Sequence, residues 1–206
     1  MTPSPESTAG HLVRYVALGD SYTIGTSVGT ADRWPNQLVA RVPALDLVAN
    51  LGVNGYTSGN VIEAELPSLP DLHPEFVTLL IGVNDIVQGV PETDYRRNVA
   101  RILDTLVAEV GSTHVVVVTT PDYTVTPAGA DYGDPATQSA GIRRYNAINT
   151  ELAAARGIAV VDIYDISLRA ATDRALVAGD GLHPSGAQYT IWVDRISPVM
   201  EALLDR

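Results

Sequence analysis

The sequence predicts an α/β protein built on a parallel sheet with helices on both faces. Short apolar runs alternate along the chain with longer segments of helical periodicity. The apolar runs are nearly continuous rather than interrupted by polar residues, which is typical of strands buried on both faces. Repeated strand–helix–strand units imply right-handed crossovers, so these observations together favour a doubly wound sheet.

Five short segments are predicted strands, and three longer segments are predicted helices. The strands cover residues 13–18, 45–49, 76–81, 115–119 and 158–161. The helices cover residues 92–110 and 137–156 and the segment after Ser185, and their apolar residues recur at helical spacing. If the strand order is 2-1-3-4-5, the first and third strands flank the crevice in which such sheets bind ligands.

The length of 206 residues predicts one domain, over residues 11–206, after a disordered segment at residues 1–10. That first segment is polar, and it lacks the basic flank and apolar stretch of a secretory signal. A cytoplasmic location is therefore expected, and secretion stays open if a leader has been removed. No apolar run reaches the ~18 residues of a membrane-spanning helix.

Charge and cysteine content exclude several classes of function. With 24 acidic and 13 basic residues, the net charge is −11 at pH 7. Such a surface repels phosphate backbones, so nucleic acid is not an expected partner. The absence of cysteine removes disulfides, thiolate metal sites and a cysteine nucleophile. The expected partner is a small molecule, and the sequence leaves the oligomeric state open.

Polar or glycine-containing turns follow the first three predicted strands. The first strand ends in Gly19-Asp20-Ser21, Gly55 lies in the turn after the second, and Asn84 follows the third. Because the carboxyl ends of parallel strands meet at one edge, these turns are expected to face a common crevice. A serine at a strand-to-helix turn exposes its hydroxyl beside backbone N–H groups. Ser21 is therefore the candidate nucleophile.

A serine nucleophile needs a base, and His183 is the candidate among the four histidines. His11 lies near the N-terminus, His73 lies in a proline-bracketed loop, and His114 precedes the fourth strand at the opposite edge of the sheet. His183 follows Asp180 by three residues, and a tight turn would bring that carboxylate against one imidazole nitrogen. A turn aspartate beside a surface histidine is the alternative interpretation of this pair.

An acyl-transfer site also needs hydrogen-bond donors for the oxyanion that develops on the substrate. The backbone N–H groups of Ser21 and Gly55 and the side-chain amide of Asn84 would supply three. Glycine suits the second position because a side chain would crowd the substrate oxygen. Taken singly, Gly55 could be an ordinary turn glycine and Asn84 a residue that caps its own turn.

Three other interpretations compete with this one. Residues 25–29 match the G-x-S-x-G pattern of α/β-hydrolases, which would make Ser27 the nucleophile, although no strand runs directly into that pattern. A sheet of this kind could also bind a flavin, another phosphate ligand or a carbohydrate without reacting. Finally, Asp20, Asp85 and Asp180 could converge to hold a divalent cation, whereas structural turn aspartates are the simpler interpretation.

Four sequence blocks resemble those of the GDSL or SGNH hydrolases, which are named for a serine, glycine, asparagine and histidine. The blocks are Gly19-Asp20-Ser21, Asn54-Gly55-Tyr56-Thr57, Gly82-Val83-Asn84-Asp85 and Asp180-Gly181-Leu182-His183-Pro184. Trp34-Pro35 followed by Leu38 is also similar to the family. The resemblance extends from about residue 14 to the end of the chain. One departure is Tyr22, which follows the serine where the family's name has leucine.

The resemblance implies a three-layer α/β/α flavodoxin-like fold with a five-stranded parallel sheet. It implies a hydrolase of carboxylic esters that uses no metal and no cofactor. The catalytic triad would be Ser21, Asp180 and His183, and the oxyanion hole would be Ser21, Gly55 and Asn84. The family includes lipases, arylesterases, thioesterases, carbohydrate deacetylases and acyltransferases. The compact chain favours short acyl groups.

A long irregular stretch at residues 121–135 follows the fourth predicted strand. In this fold class it would lie at the carboxyl edge of the sheet, where it either shapes a substrate pocket or is a solvated insertion. Its Tyr123 and Tyr132 could stack on a sugar or an aromatic ester, or they could anchor the loop.

Overall fold

The computed structural model describes residues 11–205, so the predicted disordered segment at residues 1–10 lies outside the described residues. A five-stranded sheet forms the centre, and its strands pair in parallel in the order β2-β1-β3-β4-β5. The strands are β1 Val13–Gly19, β2 Leu45–Asn50, β3 Phe76–Leu80, β4 Val115–Val118 and β5 Ala159–Val161. The predicted α/β class and the predicted strand order are confirmed.

Nine α-helices occur within residues 11–205. They are α1 Ser21–Ile24, α2 Trp34–Arg41, α3 Ser58–Asn60, α4 Leu69–Leu72, α5 Val83–Val87, α6 Glu92–Val110, α7 Pro135–Ala154, α8 Tyr164–Leu168 and α9 Gly186–Leu204. A π-helical segment, Val61–Glu65, joins α3 to a 3₁₀ turn at Leu66–Ser68. Further 3₁₀ turns lie at Thr30–Asp32, Ser112–His114, Tyr123–Val125, Gly129–Tyr132, Arg169–Ala171 and Arg174–Leu176.

Alternate residues of β1 point to opposite faces of the sheet, and each face carries its own apolar core. Tyr15 and Ala17 belong to the core on one face, whereas Val16 and Leu18 belong to the core on the other. All four residues are fully buried. Residues 15–18 are thus buried on both sides of the sheet, which explains why they form a continuous apolar run in the sequence.

Helices cover both faces and complete the three layers. On one face α2 packs against α9, and the fully buried Trp34 and Trp192 lie in the core that they share. On the other face α6 supplies a stripe of buried residues: Tyr95, Val99, Ile102, Leu103 and Leu106. These residues recur at helical spacing, so one face of α6 is buried while its opposite face carries charged residues. None of the helices within residues 11–205 is long and apolar enough to span a membrane.

Candidate active site

The turn between β1 and α1 presents Ser21 at the carboxyl edge of the sheet. Asp20 is the N-cap of α1 and accepts a hydrogen bond from the backbone N–H of Tyr22 at 2.9 Å. Gly19 has a φ of +150°, and a Cβ there would lie 2.2 Å from the carbonyl oxygen of Leu80. Only glycine fits this position. Gly19 therefore allows the sharp turn from β1 into α1, whose first residue is Ser21.

Two buried carboxyl groups, those of Asp20 and Glu65, accept hydrogen bonds from the backbone of the turn between β1 and α1. Glu65 accepts a hydrogen bond from the backbone N–H of Gly19 at 2.9 Å, and Asp20 and Glu65 are 0% and 2% exposed. Among the described residues, Oδ2 of Asp20 and Oε1 of Glu65 are buried without a hydrogen-bond partner. Burial raises the pKa of Asp20 to about 7 and that of Glu65 to about 9.

The raised pKa of Glu65 links stability to pH. The unfolded chain loses this proton near the ordinary carboxyl pKa of ~4.3, whereas the folded protein keeps it until the pH approaches 9. Between these values the folded state therefore binds more protons than the unfolded state. The stabilisation that this proton contributes is fully present below the pKa of the unfolded chain. It is lost as the pH rises towards the pKa of Glu65 in the folded protein.

His183 and Asp180 form a close pair in the turn that precedes α9. Nδ1 of His183 lies 2.6 Å from Oδ2 of Asp180, while Oδ1 accepts hydrogen bonds from the backbone N–H groups of Leu182 and His183. The side chain of His183 is 12% exposed, and that of Asp180 is 29% exposed. Partial burial would raise the pKa of Asp180, but hydrogen bonds led by that of Ser27 hold it well below its usual value. A carboxylate that stays ionised can fix the tautomer of the imidazole beside it.

The turns after β2 and β3 bring Gly55 and Asn84 to the same edge. Gly55 has a φ of +81°, which favours glycine, and no atom lies within 4 Å of the position where its Cβ would be. Nδ2 of Asn84 donates to the carbonyl oxygen of Tyr56 at 2.9 Å. An amide nitrogen carries two hydrogens, so this bond orients the group and leaves one N–H for a ligand.

A cavity of about 280 Å³ connects these groups. Its polar lining includes Ser21, Gly55, Asn84 and His183. The rest of its lining is Tyr22, Asn54, Val83, Val87, Tyr123, Tyr132 and Leu182. Such a cavity combines a largely apolar wall with a few convergent polar groups, which is typical of small-molecule sites.

The structure brings the predicted site residues together. Four of them line the cavity, and Asp180 lies behind His183 through the 2.6 Å contact. Ser21 and His183 line the same cavity, and Ser–His hydrogen bonds in such sites often tighten only when substrate binds. The catalytic roles of these residues stay a prediction at this point.

The other histidines lie away from the cavity. His11 contacts Glu75 at 2.8 Å, and His73 ends α4. The ring of His114 packs edge-on against Phe76, the first residue of β3, at 5.9 Å. His114 therefore lies at the amino edge of the sheet, opposite to the cavity.

The residues named in the competing interpretations have other roles in the structure. Ser27 follows α1 rather than a strand, and it does not line the cavity. Asp85 is fully buried and accepts hydrogen bonds from the backbone and hydroxyl of Ser58. Within residues 11–205 no three histidine, cysteine, aspartate or glutamate side chains cluster in a way that could hold a metal ion.

Several contacts of the site were not predicted from the sequence. Asp85 holds the start of α3 through Ser58, and Nε2 of Gln88 donates to the carbonyl oxygen of Gly55 at 2.8 Å. The hydroxyl of Ser27 donates to Asp180 at 2.6 Å. Each contact joins segments that are far apart in sequence, and no spacing rule reveals such pairs.

The loop at residues 121–135 contributes directly to the cavity wall. Tyr123 is 2% exposed and Tyr132 is 44% exposed, and their rings meet edge-on at 6.0 Å. Asp122 caps the 3₁₀ turn that begins at Tyr123 by accepting from the backbone N–H of Thr124. One tyrosine is thus an anchored part of the wall, while the other stands at its solvent-exposed rim.

Comparisons with known proteins agree with this architecture. The model of the GDSL-like Lipase/Acylhydrolase family matches residues 17–191. No curated protein sequence matches the chain.

Solved structures of the same fold are similar over nearly the whole chain. A member of the lipolytic protein G-D-S-L family from Veillonella parvula is 18% identical, with a TM-score of 0.75 over 92% of this chain and 98% of the other. A psychrotrophic esterase from Pseudoalteromonas sp. is 18% identical, with a TM-score of 0.71 over 94% and 99%. An acetylxylan esterase from Geobacillus stearothermophilus is 18% identical, with a TM-score of 0.70 over 94% of each chain. The family match covers most of the chain, and we conclude that this protein belongs to the GDSL-like lipase/acylhydrolase family.

Proposed function

We propose that this protein is a serine esterase that hydrolyses carboxylic esters through an acyl-enzyme on Ser21. One observation carries the proposal. His183 lines the same cavity as Ser21, and Asp180 contacts the imidazole of His183 from behind at 2.6 Å. Serine is a weak nucleophile on its own, and an oriented imidazole is the usual means of activating it. The family of the chain supports the same reaction class.

The proposed reaction begins when His183 takes the hydroxyl proton of Ser21 as the oxygen attacks the ester carbonyl. The negative charge moves to the former carbonyl oxygen, which the N–H groups of Ser21, Gly55 and Asn84 would stabilise. His183 then returns the proton to the leaving alcohol, and an acyl-enzyme remains. Water, deprotonated by the same histidine, attacks the acyl-enzyme, releases the acid and restores Ser21. Asp180 stabilises the imidazolium in both halves of the cycle.

The size and chemistry of the cavity favour short acyl groups. Its volume of about 280 Å³ lies just below the ~300–1,000 Å³ common for small-molecule pockets. Val83, Val87 and Leu182 supply apolar surface for an acyl chain, and Tyr132 limits the space at the rim. A carbohydrate O-deacetylase is a second candidate, because the exposed ring of Tyr132 could stack on a sugar that carries the acetyl group.

Hydrolysis of p-nitrophenyl esters, from acetate to decanoate, tests the proposal. The wild type should hydrolyse the short esters, and Ser21→Ala should lose the activity. Ser68→Ala is the matched control, because Ser68 donates to the carbonyl oxygen of Ala64 in its own helical segment and does not line the cavity. Wild type that is inert on these esters but releases acetate from acetylated sugars would support the deacetylase. Equal activity in wild type and Ser21→Ala would refute the proposal.

A further inference from the structure

Within residues 11–205, the carboxylate of Asp180 has one hydrogen-bond donor from a distant part of the chain. Two of its donors are backbone N–H groups and one is the imidazole of His183, all within residues 180–183. The fourth is the hydroxyl of Ser27, which donates to Oδ2 at 2.6 Å across 153 positions of sequence. This Oδ2 is also the oxygen that contacts Nδ1 of His183 at 2.6 Å. Ser27 thus contacts the very atom that orients the imidazole.

The turn that carries Ser27 is also tied to the candidate nucleophile. The backbone N–H groups of Gly25 and Thr26 both donate to the carbonyl oxygen of Ser21 at 3.1 Å. Ser27 follows directly, so a short and hydrogen-bonded turn joins Ser21 to the carboxylate of Asp180. Ser21 and His183 lie far apart in the sequence. This turn connects the backbone of Ser21 with the carboxylate that contacts His183.

The backbone of Ser27 indicates that its side chain has a role. Its φ is +67°, in the left-handed region, where a residue with a Cβ is strained and glycine is not. Gly25, two residues earlier, adopts φ +72° in the same turn. A serine in this conformation is stable when the hydrogen bond of its side chain offsets the strain.

We propose that Ser27 is a positioning residue, whose hydroxyl fixes Oδ2 of Asp180 against His183 and links that pair to the turn that bears Ser21. The proposal rests on the proposed esterase function, in which Asp180 and His183 serve the nucleophile. Ser27 does not line the cavity, so it acts on the reaction through Asp180 and does not touch the substrate.

Two substitutions at this one position separate positioning from folding. Ser27→Gly removes the hydroxyl and relieves the strain of the left-handed backbone. Ser27→Thr keeps a hydroxyl at the same reach but places a β-branched residue at positive φ, which is strongly disfavoured. Positioning predicts that Ser27→Gly is less active but no less heat-stable, while Ser27→Thr is active but less heat-stable. A purely structural role predicts that activity follows stability in both variants.

The kinetic test measures kcat, KM and the pH profile of p-nitrophenyl acetate hydrolysis. We expect kcat of Ser27→Gly to fall about tenfold, less than the ~10²-fold cost of a 1 Å misplacement, because three donors still hold Asp180. KM should be unchanged, and the acid limb of the profile should move to higher pH, because Oδ2 without Ser27 is a stronger partner for a protonated imidazole. Wild-type kcat and an unshifted profile in Ser27→Gly would overturn the proposal.

A spectroscopic readout keeps the outcome separate from that of the esterase proposal. The proton on Nδ1 of His183 is observable by ¹H NMR, and we expect its resonance to shift in Ser27→Gly and to keep its place in Ser68→Ala. An unchanged resonance in Ser27→Gly would refute the link between Ser27 and the pair, whatever the reaction. A shifted resonance in a protein whose Ser21→Ala variant keeps full activity would refute the esterase proposal and leave the hydrogen-bond link intact.

Discussion

Replacing Asn84 by alanine should lower kcat for ester hydrolysis by on the order of 10²–10³, the cost of one oxyanion donor. The magnitude follows from how the amide is held. Its bond to the carbonyl oxygen of Tyr56, at 2.9 Å, fixes its orientation before substrate arrives, so the second N–H needs no reorganisation to meet the charge. The stability cost is smaller, about 1 kcal/mol for one lost hydrogen bond, or roughly 2–4 °C in Tm for a chain of this size.

The assay compares steady-state kcat and KM of wild type and Asn84→Ala on p-nitrophenyl acetate. Asn98→Ala is the matched control, since its amide donates to Ser58 at 3.1 Å and does not line the cavity. The control should lose a similar amount of stability and keep its kcat within about twofold. A loss below about threefold in Asn84→Ala, with both variants folded, would remove Asn84 from the oxyanion hole.

Three further predictions concern the supports and the wall of the cavity. Asp180→Asn should reduce kcat on the order of 10⁴-fold, because an amide no longer enforces the tautomer of His183; activity within tenfold of wild type would contradict the triad. Glu65→Gln should flatten the decline of the unfolding free energy between pH 5 and 9, by at most about 1.4 kcal/mol per pH unit, since it removes the proton that the folded protein retains. Unfolding free energies from urea denaturation that fall equally with pH in wild type and variant would contradict this prediction. Tyr132→Ala should open the rim of the cavity and move the best p-nitrophenyl ester towards longer acyl chains. An unchanged chain-length profile would place the limit on chain length elsewhere.

Features that depend on local pattern could be predicted from the sequence. The helix at residues 92–110 has the predicted bounds, because its buried stripe is regular and Gly111 ends it with a φ of +82°. All five strands were located within one residue at each end, since each contains a short stretch dominated by apolar residues.

Features with weaker local signals were missed or misplaced. Helix α7 begins at Pro135, two residues earlier than predicted, because Asp134 caps it by accepting from the backbone N–H of Thr137. The short helices and the π-helical segment at Val61–Glu65 are too brief to show a period. Their position is set by tertiary contacts such as that of Glu65 with Gly19.

The candidate site shows the same difference between residues that a local rule predicts and contacts that depend on tertiary structure. Ser21, Gly55, Asn84 and His183 follow from the rule that the turns at one edge of a parallel sheet converge, and all four line one cavity. The contact of Ser27 with Asp180 follows no such rule, because it depends on how two loops approach each other in three dimensions. The G-x-S-x-G pattern makes the same serine a rival nucleophile, whereas its hydrogen bond to Asp180 indicates a supporting role.

The position of His183 just before α9 ties the proposed base to one helix, whereas Ser21 belongs to the turn after β1. Because α9 packs on α2, the contact between these two helices holds the base beside the sheet. Under the proposed function, a local opening of α9 would separate the base from the nucleophile while the sheet stays intact. The protein would then lose activity before it loses its fold.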